Sequence, residues 1–410
     1  MTPVRASLQA AEHDRIMPRS LKVIVADDDA LQRTILASVL RKLGHTPIEA
    51  SEGIEAYDLL CAHRASLLVC DLFMPGLDGN ALTTKIRETI RDRYVHIIMV
   101  TGQDQMSERK RALQLGVDEF MGKPLEVATL MARISVAERL VQHEDILQEK
   151  NRILEDAQRV IEKDLQDAAR AQRRILPAAR IEGPLCSFYS AFVPSSYVSG
   201  DMFATFDLPN GRTGFYVIDV SGHGVSAALL SVALGHLVTV DYFQRYSIAP
   251  DGTPAPAGLA DVLNARFHVE ESDDYFTLFC GIVDHATGQL HFCQAGSPSP
   301  VIVGPEGTTR VVGEGGFPVG LFAQVQFESG QVPFAALDTL VLCSDGATEA
   351  EDPRGESFGD HRLTQVIVDA RVRDLTTIPE AIVAALRKWR GQSTLDDDLT
   401  VLVCQRRVST

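Results

Sequence analysis

Two sets of acidic side chains in this chain have the types and spacing to hold a divalent metal against a phosphoryl group. The first comprises Asp27, Asp28 and Asp71, with Thr101 and Lys123 further on; the second is Asp201, Asp219, Asp345 and Asp397. Carboxylate clusters bind hard cations such as Mg²⁺ or Mn²⁺, and those cations neutralise phosphoryl oxygens. In the first set Lys123 adds a point positive charge, and Thr101 a hydroxyl able to follow a new phosphate. In the second, four acids so far apart in sequence would repel one another if they met without metal. Their meeting makes sense around two ions about 3.5–4 Å apart, where an activated water attacks a phosphate monoester in line.

The elements that must position these groups differ between the two halves. In residues 21–135, Leu21–Ala26, Leu67–Cys70 and Val95–Val100 are short apolar runs of the kind buried in a parallel sheet. Helical spacing appears in Ala30–Leu43, Ile54–His63 and Asn80–Arg91, with Gly44 as a stop signal. Repeated βα units predict a doubly wound parallel-sheet domain with its ligands at the carboxyl ends of the strands. Asp27-Asp28, Asp71, Thr101 and Lys123 all fall at or just after such ends.

Residues 136–177 form a helical linker: 136–176 lack Gly and Pro, and Pro177 ends the run. Leu140, Leu147, Leu154, Ile161, Ala168 and Ile175 recur every seven residues, while the companion stripe (Ala137, Glu144, Asn151, Gln158, Leu165, Gln172) is largely polar. One good stripe predicts a marginal two-stranded coiled coil, and hence a homodimer through the linker, with Asn151 as a register device. A single solvated helix is the alternative. At about 1.5 Å per residue the segment spans about 60 Å.

Residues 178–410 read as a mixed α/β domain. Strands are expected at Gly214–Val220, Phe276–Val283, Leu290–Gln294, Val301–Gly304, Thr339–Cys343 and Leu399–Cys404. Long helices are expected at Val225–Gln244 and Leu259–Glu271, with further ones near Arg362–Val372 and Ile378–Trp389. Asp219 ends a strand, Asp345 follows one, Asp397 precedes the last, and Asp201 begins another.

Composition limits the partners. A net charge of −16 argues against a nucleic-acid surface, which needs Lys/Arg stripes. Seven scattered cysteines without a C-x-x-C pair argue against zinc or a disulfide framework and fit a reducing cytoplasm. Residues 1–20 are expected to be a flexible tail with no signal-peptide core. No stretch reaches the roughly 18 apolar residues a membrane span needs.

With these motifs in view, residues 21–135 resemble the response-regulator receiver domain: V-A-D-D-D, C-D-L-F-M-P-G-L-D-G, M-V-T-G and F-M-G-K-P appear in family order. The resemblance implies that Asp71 accepts a phosphoryl group from a histidine kinase or phosphotransfer protein. It implies a Mg²⁺ held by Asp27, Asp28, Asp71 and the Phe73 carbonyl. Thr101 and Phe120 would form the switch pair, Lys123 would complete the site, and Pro124 resembles a cis-proline turn.

Residues 184–405 resemble the metal-dependent PPM protein phosphatases of the bacterial sporulation and stress-response branch. The matching pieces are S-G-D, D-V-S-G-H-G, Q-A-G, G-G-F-P-V-G-L, C-S-D-G-A-T-E and D-D-D-L-T, and Ala169–Pro177 looks like that branch's regulatory lead-in helix. The resemblance implies two Mn²⁺ or Mg²⁺ ions, with Asp219 bridging them. Asp345 and Asp397 would complete one metal site, and Asp201 with the Val220 carbonyl would serve the other. It also implies a phosphoserine or phosphothreonine substrate on an anti-sigma-factor antagonist, in a partner-switching system. Two positions depart from the family pattern: Met202-Phe203-Ala204 stands for an aromatic-aromatic-Asp run, and Ser297 for a histidine. His223 is not assigned a role. A rival reading keeps the phosphatase shape without catalysis, as a scaffold controlled by phosphorylation of Asp71. Against it, carboxylates clustered without metal raise one another's pKa, so a pure scaffold has no reason to keep them together.

Overall fold

The structure, a computed structural model, describes residues 20–408 except 103–105, 223, 271–273 and 393; the side chains of 106–108 also lie outside the described residues. The expected tail therefore falls outside the described residues except for Ser20, as do His223 and Glu271. Contacts divide the chain into two units, Met1–Arg159 and Val160–Thr410.

The first unit contains β1 (Lys22–Ala26), α1 (Ala30–Lys42), β2 (Thr46–Ala50), α2 (Gly53–His63), β3 (Leu67–Asp71), α3 (Gly79–Thr89), β4 (His96–Thr101), α4 (Met106–Gln114) and β5 (Glu119–Gly122). The strands form one parallel sheet in the order β2-β1-β3-β4-β5. Alternation along each strand feeds two cores. Ile24, Leu68 and Ile97 pack with Leu60 and Ile86 on one face, and Val25, Val69 and Ile98 with Leu36 and Leu40 on the other. The order reverses between β1 and β3, and the crevice beyond their carboxyl ends is where such sheets bind ligands.

Helix α5 (Val127–Arg173) begins earlier than the expected linker and stops before Pro177. Its first turns belong to the first unit, because Leu130, Ile134 and Ala137 are buried in that unit's second core. Further along, the heptad stripe is bare: Leu140, Leu147, Leu154 and Ile161 are 43%, 53%, 67% and 59% exposed. Ile175, the last member of the stripe, lies beyond the helix end. Gln172, from the polar stripe, is only 3% exposed.

The second unit is a four-layered α/β/β/α sandwich. Its strands are β6 (Arg180–Glu182), β7 (Cys186–Val193), β8 (Asp201–Leu208), β9 (Arg212–Val220), β10 (Phe276–Asp284), β11 (Gln289–Ala295), β12 (Val301–Val303), β13 (Thr309–Val311), β14 (Gly330–Pro333), β15 (Thr339–Cys343) and β16 (Leu399–Arg406). Two antiparallel sheets result, ordered β14-β11-β10-β9-β8 and β13-β12-β15-β16-β7-β6. Phe215, Phe279 and Phe292 of one meet Ile302, Leu340 and Leu402 of the other between them. Helices α6 (Val225–Leu237), α7 (Val240–Ser247) and α8 (Ala257–Phe267) share a core with the first sheet, through Leu234, Phe243 and Leu263 against Tyr216, Ile218 and Cys280. Helices α9 (Gly359–Arg373) and α10 (Ile378–Arg390) share one with the second, through Ile367 and Leu386 against Val341 and Val401.

One expected helix is divided. Val225–Gln244 is two helices bent by 77°, because the Thr239 side chain accepts from Tyr242 N and starts a new helix there. No single described helix is long and apolar enough to cross a membrane.

Candidate functional site

In the first unit, β1 ends at Ala26 and delivers Asp27, wholly buried, and Asp28, exposed. Asp71 ends β3. Carboxylate oxygens of Asp27, Asp28 and Asp71 lie within 4.8 Å of one another. Lys123 Nζ donates to Asp71 Oδ2 at 2.8 Å and to Asp27 Oδ2 at 3.3 Å, and the Lys123–Pro124 peptide is cis. Burial pushes the Asp71 carboxyl up, while the Lys123 ammonium pulls it back. Burial works against the Lys123 charge too, yet its two carboxylate partners hold its pKa above the ordinary value. Three acids against one ammonium leave a surplus of negative charge, which fits a hard divalent cation.

Around this cluster, Thr101 ends β4 and is buried; its Oγ1 accepts from Arg109 Nε at 3.1 Å. Phe120 on β5 is half-buried and Phe73 is exposed. Gly79 lets the chain after β3 fold tightly, since a Cβ there would stand 2.7 Å from the Asp71 carbonyl oxygen.

In the second unit the β8–β9 register sets Asp201 directly opposite Asp219. Like charges at opposed positions are destabilising unless something neutralises them. Burial pushes the Asp219 carboxyl up to about 10, with the charges of Asp201 and Asp345 adding to the shift. Asp201 is raised to about 7, first by burial and then by Asp398, with the Thr400 and Ser344 hydroxyls opposing. Although these hydroxyls lie close by, their geometry makes no hydrogen bond, and both buried Asp201 carboxylate oxygens are without a partner among the described residues. An orphaned buried carboxylate beside a second acid is a donor set suited to a metal ion.

Asp345 opens the 3₁₀ turn Asp345–Ala347 after β15, and Asp397 precedes β16 in the same sheet. Asp219 of one sheet lies close enough to both Asp201 and Asp345, which follows a strand of the other sheet, for their charges to act on it. This set is more open than the first, since among the described residues only Asp27, Asp28 and Asp71 bring three ligand atoms within 4.8 Å. Asp219, Asp345 and Asp397, which the resemblance gives to one ion, thus stand further apart than the three acids of the first unit.

Several residues that hold this site escaped the sequence reading. Asp398 is buried; its Oδ1 accepts from Ser195 N (2.7 Å) and Oγ (2.9 Å), and its Oδ2 from Gly200 N (2.7 Å), so it ties the approach to Asp201. Gln172 does the same from the end of α5. Its Nε2 donates to Ser199 O (2.6 Å) and Ser231 Oγ (3.0 Å), and its Oε1 accepts from Ser199 N (3.1 Å). Ser199 Oγ in turn accepts from Asp201 N at 3.1 Å. Glu349 lies near Asp345 and Asp397, and burial with their charges raises its carboxyl. Of the departures from the family pattern, Ala204 lines a cavity of about 370 Å³ with Ile175 and Pro177, and the Ser297 hydroxyl donates to Leu278 O at 3.4 Å.

Compared with known proteins, residues 23–135 match the response regulator receiver domain and residues 209–407 match Stage II sporulation protein E (SpoIIE). The chain joins a receiver domain to a SpoIIE-type PP2C phosphatase domain. The receiver region is 31% identical over 156 residues to the response regulator MprA of Mycobacterium bovis, covering 38% of this chain and 66% of that protein. It is 34% identical over 126 residues to MprA of Mycobacterium ulcerans, covering 31% of this chain and 53% of that protein. This chain therefore spans about half to two-thirds of the length of these relatives. The SiaA-PP2C domain of Pseudomonas aeruginosa has the same fold as the phosphatase domain: TM-score 0.52, 24% identity, covering 61% of this chain and 98% of that one.

Proposed function

We propose that this protein is a two-component effector enzyme, a metal-dependent protein serine/threonine phosphatase controlled by phosphorylation of Asp71. The observation that carries the reading is the opposition of Asp201, whose buried carboxylate is orphaned, and Asp219, whose carboxyl is raised by burial and by the charges of Asp201 and Asp345. In the receiver domain, Asp27, Asp28, Asp71 and the Phe73 carbonyl would hold Mg²⁺. A histidine kinase or phosphotransfer protein supplies the phosphoryl group. Lys123 pairs with it, and the Thr101 hydroxyl turns toward it, with Phe120 as the second member of the switch.

In the phosphatase domain, Asp219 would serve both of two Mn²⁺ or Mg²⁺ ions, with Asp345 and Asp397 completing one site and Asp201 with the Val220 carbonyl the other. Such ions, when bound, neutralise phosphoryl oxygens and lower the pKa of an attacking water. The chain's own part is to fix these carboxylates: Asp398 and Gln172 tie the Ser199–Asp201 segment, so Asp201 has little freedom to turn away. The substrate is phosphoserine or phosphothreonine on an anti-sigma-factor antagonist, and the bare heptad stripe of α5 joins two copies as a homodimer. We propose a cytoplasmic location and the boundaries 21–135, 136–177 and 178–410 for receiver, linker and phosphatase. The non-catalytic scaffold draws modest support from Ala204 and Ser297, and the four-aspartate set speaks against it.

The test is Mn²⁺-dependent release of phosphate from a phosphoserine protein, with and without beryllofluoride as a phosphoryl mimic on Asp71. Activity is expected to vanish in Asp219→Ala and Asp345→Ala. Release that survives either substitution overturns the reading.

A further inference from the structure

The loop from Gly315 to Phe322, between β13 and β14, combines two properties that seldom occur together: a backbone fixed by buried polar side chains and a tip of bare apolar ones. Gly315 N donates to Gln294 Oε1 at 2.9 Å and Gly320 N to Asn264 Oδ1 at 2.7 Å. Asn264 Nδ2 donates to Phe322 O at 3.0 Å, and His268 Nδ1 lies 2.8 Å from Gly320 O. Val319 and Phe276 exchange both backbone hydrogen bonds, at 2.9 and 3.0 Å. Gln294 and Asn264 are themselves buried. Held this way, the loop leaves Phe317 58%, Leu321 38% and Phe322 46% exposed, with the two rings edge to face at 5.4 Å. A side chain free to fold back would cover such surface; this one is prevented from doing so. Rigid aromatic anchors lose little conformational freedom when a partner covers them, which suits them to carry binding energy.

Strand register places this tip relative to the carboxylates. Val319 bridges to Phe276, Phe276 pairs with Val220, and Thr277 pairs with Asp219. Two strand spacings of about 4.8 Å put the loop backbone about 10 Å from Val220. An extended peptide covers that distance in about three residues.

We propose that Phe317, Leu321 and Phe322 form a docking surface for the phosphorylated protein substrate, receiving an apolar side chain three or four residues from the phosphoserine or phosphothreonine. The inference rests on the phosphatase reading and adds a specificity element to it. The surface lies beside the catalytic end of β9 and β10, so a segment whose phosphate reaches Asp219 can extend across it.

The experiment uses the full chain with Mn²⁺, with and without beryllofluoride, on matched phosphoserine peptides. One carries Leu at positions three and four on both sides of the phosphoserine, the other Ser. The wild type is expected to favour the Leu peptide at least tenfold in kcat/KM, chiefly through KM. In Phe317→Ser/Phe322→Ser, and independently in Leu321→Ser, that ratio should fall toward one, while Phe317→Leu retains most of it. A wild type that does not discriminate, or variants that keep the full ratio, overturns the docking surface. p-Nitrophenyl phosphate separates the two levels: if the wild type does not hydrolyse it with Mn²⁺ in either state, the phosphatase reading itself fails and this inference with it.

Discussion

Replacing Gln172 by Ala removes three hydrogen bonds from a residue 3% exposed: two to the backbone of Ser199 and one to the Ser231 hydroxyl. The Ser199 carbonyl keeps a donor, because Ser231 Oγ still reaches it at 3.1 Å. The Ser199 N–H is left buried without its acceptor, a loss of about 1–3 kcal/mol, and the remaining bonds contribute about 1 kcal/mol each. The anchoring of the Ser199–Asp201 segment therefore weakens by roughly 3–5 kcal/mol. If about a third of that reaches Asp201, the Mn²⁺ concentration for half-maximal activity rises roughly tenfold, since about 1.4 kcal/mol is a factor of ten. The assay is a metal titration of phosphoprotein hydrolysis, with kcat at saturating Mn²⁺ read separately. Gln172→Glu keeps the acceptor and loses the donors, so it should fall between Ala and wild type. Gln166→Ala, on the exposed face of the same helix, is the control. A Gln172→Ala enzyme with the metal requirement of the wild type would refute the link between the end of α5 and Asp201.

Gly346→Ala should lower activity by more than tenfold and destabilise the phosphatase domain by about 1–3 kcal/mol, because its Cβ would stand 2.2 Å from the Asp398 carbonyl oxygen; phosphate release and denaturant unfolding check both. His96 is 1% exposed, and burial holds its pKa below the usual 6.5 against the raising influence of Asp118 and Glu119. The stability carried by its neutral form is present above pH 6.5 and is lost as pH falls toward the lower folded value, so His96→Phe should flatten the decline of receiver unfolding midpoints as pH falls below about 6.5. Leu147→Lys with Leu154→Lys should convert a dimer to a monomer by light scattering, since both side chains lie on the bare stripe of α5.

Much of the fold was legible because apolar runs and periodicity record burial directly. Leu67–Cys70 and Thr339–Cys343 are strands for the reason their sequences suggest. Strand β2 was not legible: it is an edge strand carrying Pro47, and an edge tolerates the missing N–H that a central strand does not. The division of Val225–Gln244 was hidden because helical periodicity continues past Thr239, while one hydroxyl decides the break. The acids themselves could be picked out, since each falls at a strand end, but the side chains that hold them could not. Asp398 looks like one more acid in a run of three until its bonds to Ser195 and Gly200 are seen. Gln172 looked like a weak seam residue, yet the same polarity that weakens a coiled coil supplies both a donor and an acceptor to Ser199. Sequence spacing reports which way a residue faces along its own helix, and not what waits there from 27 positions away.

The hairpin of β8 and β9 begins at a turn where Asn210 and Gly211 both have positive φ, and it closes, rung by rung, on two acids. The two acids thus sit at the end of the hairpin furthest from its turn, where a proton on Asp219 relieves their repulsion when no ion is bound.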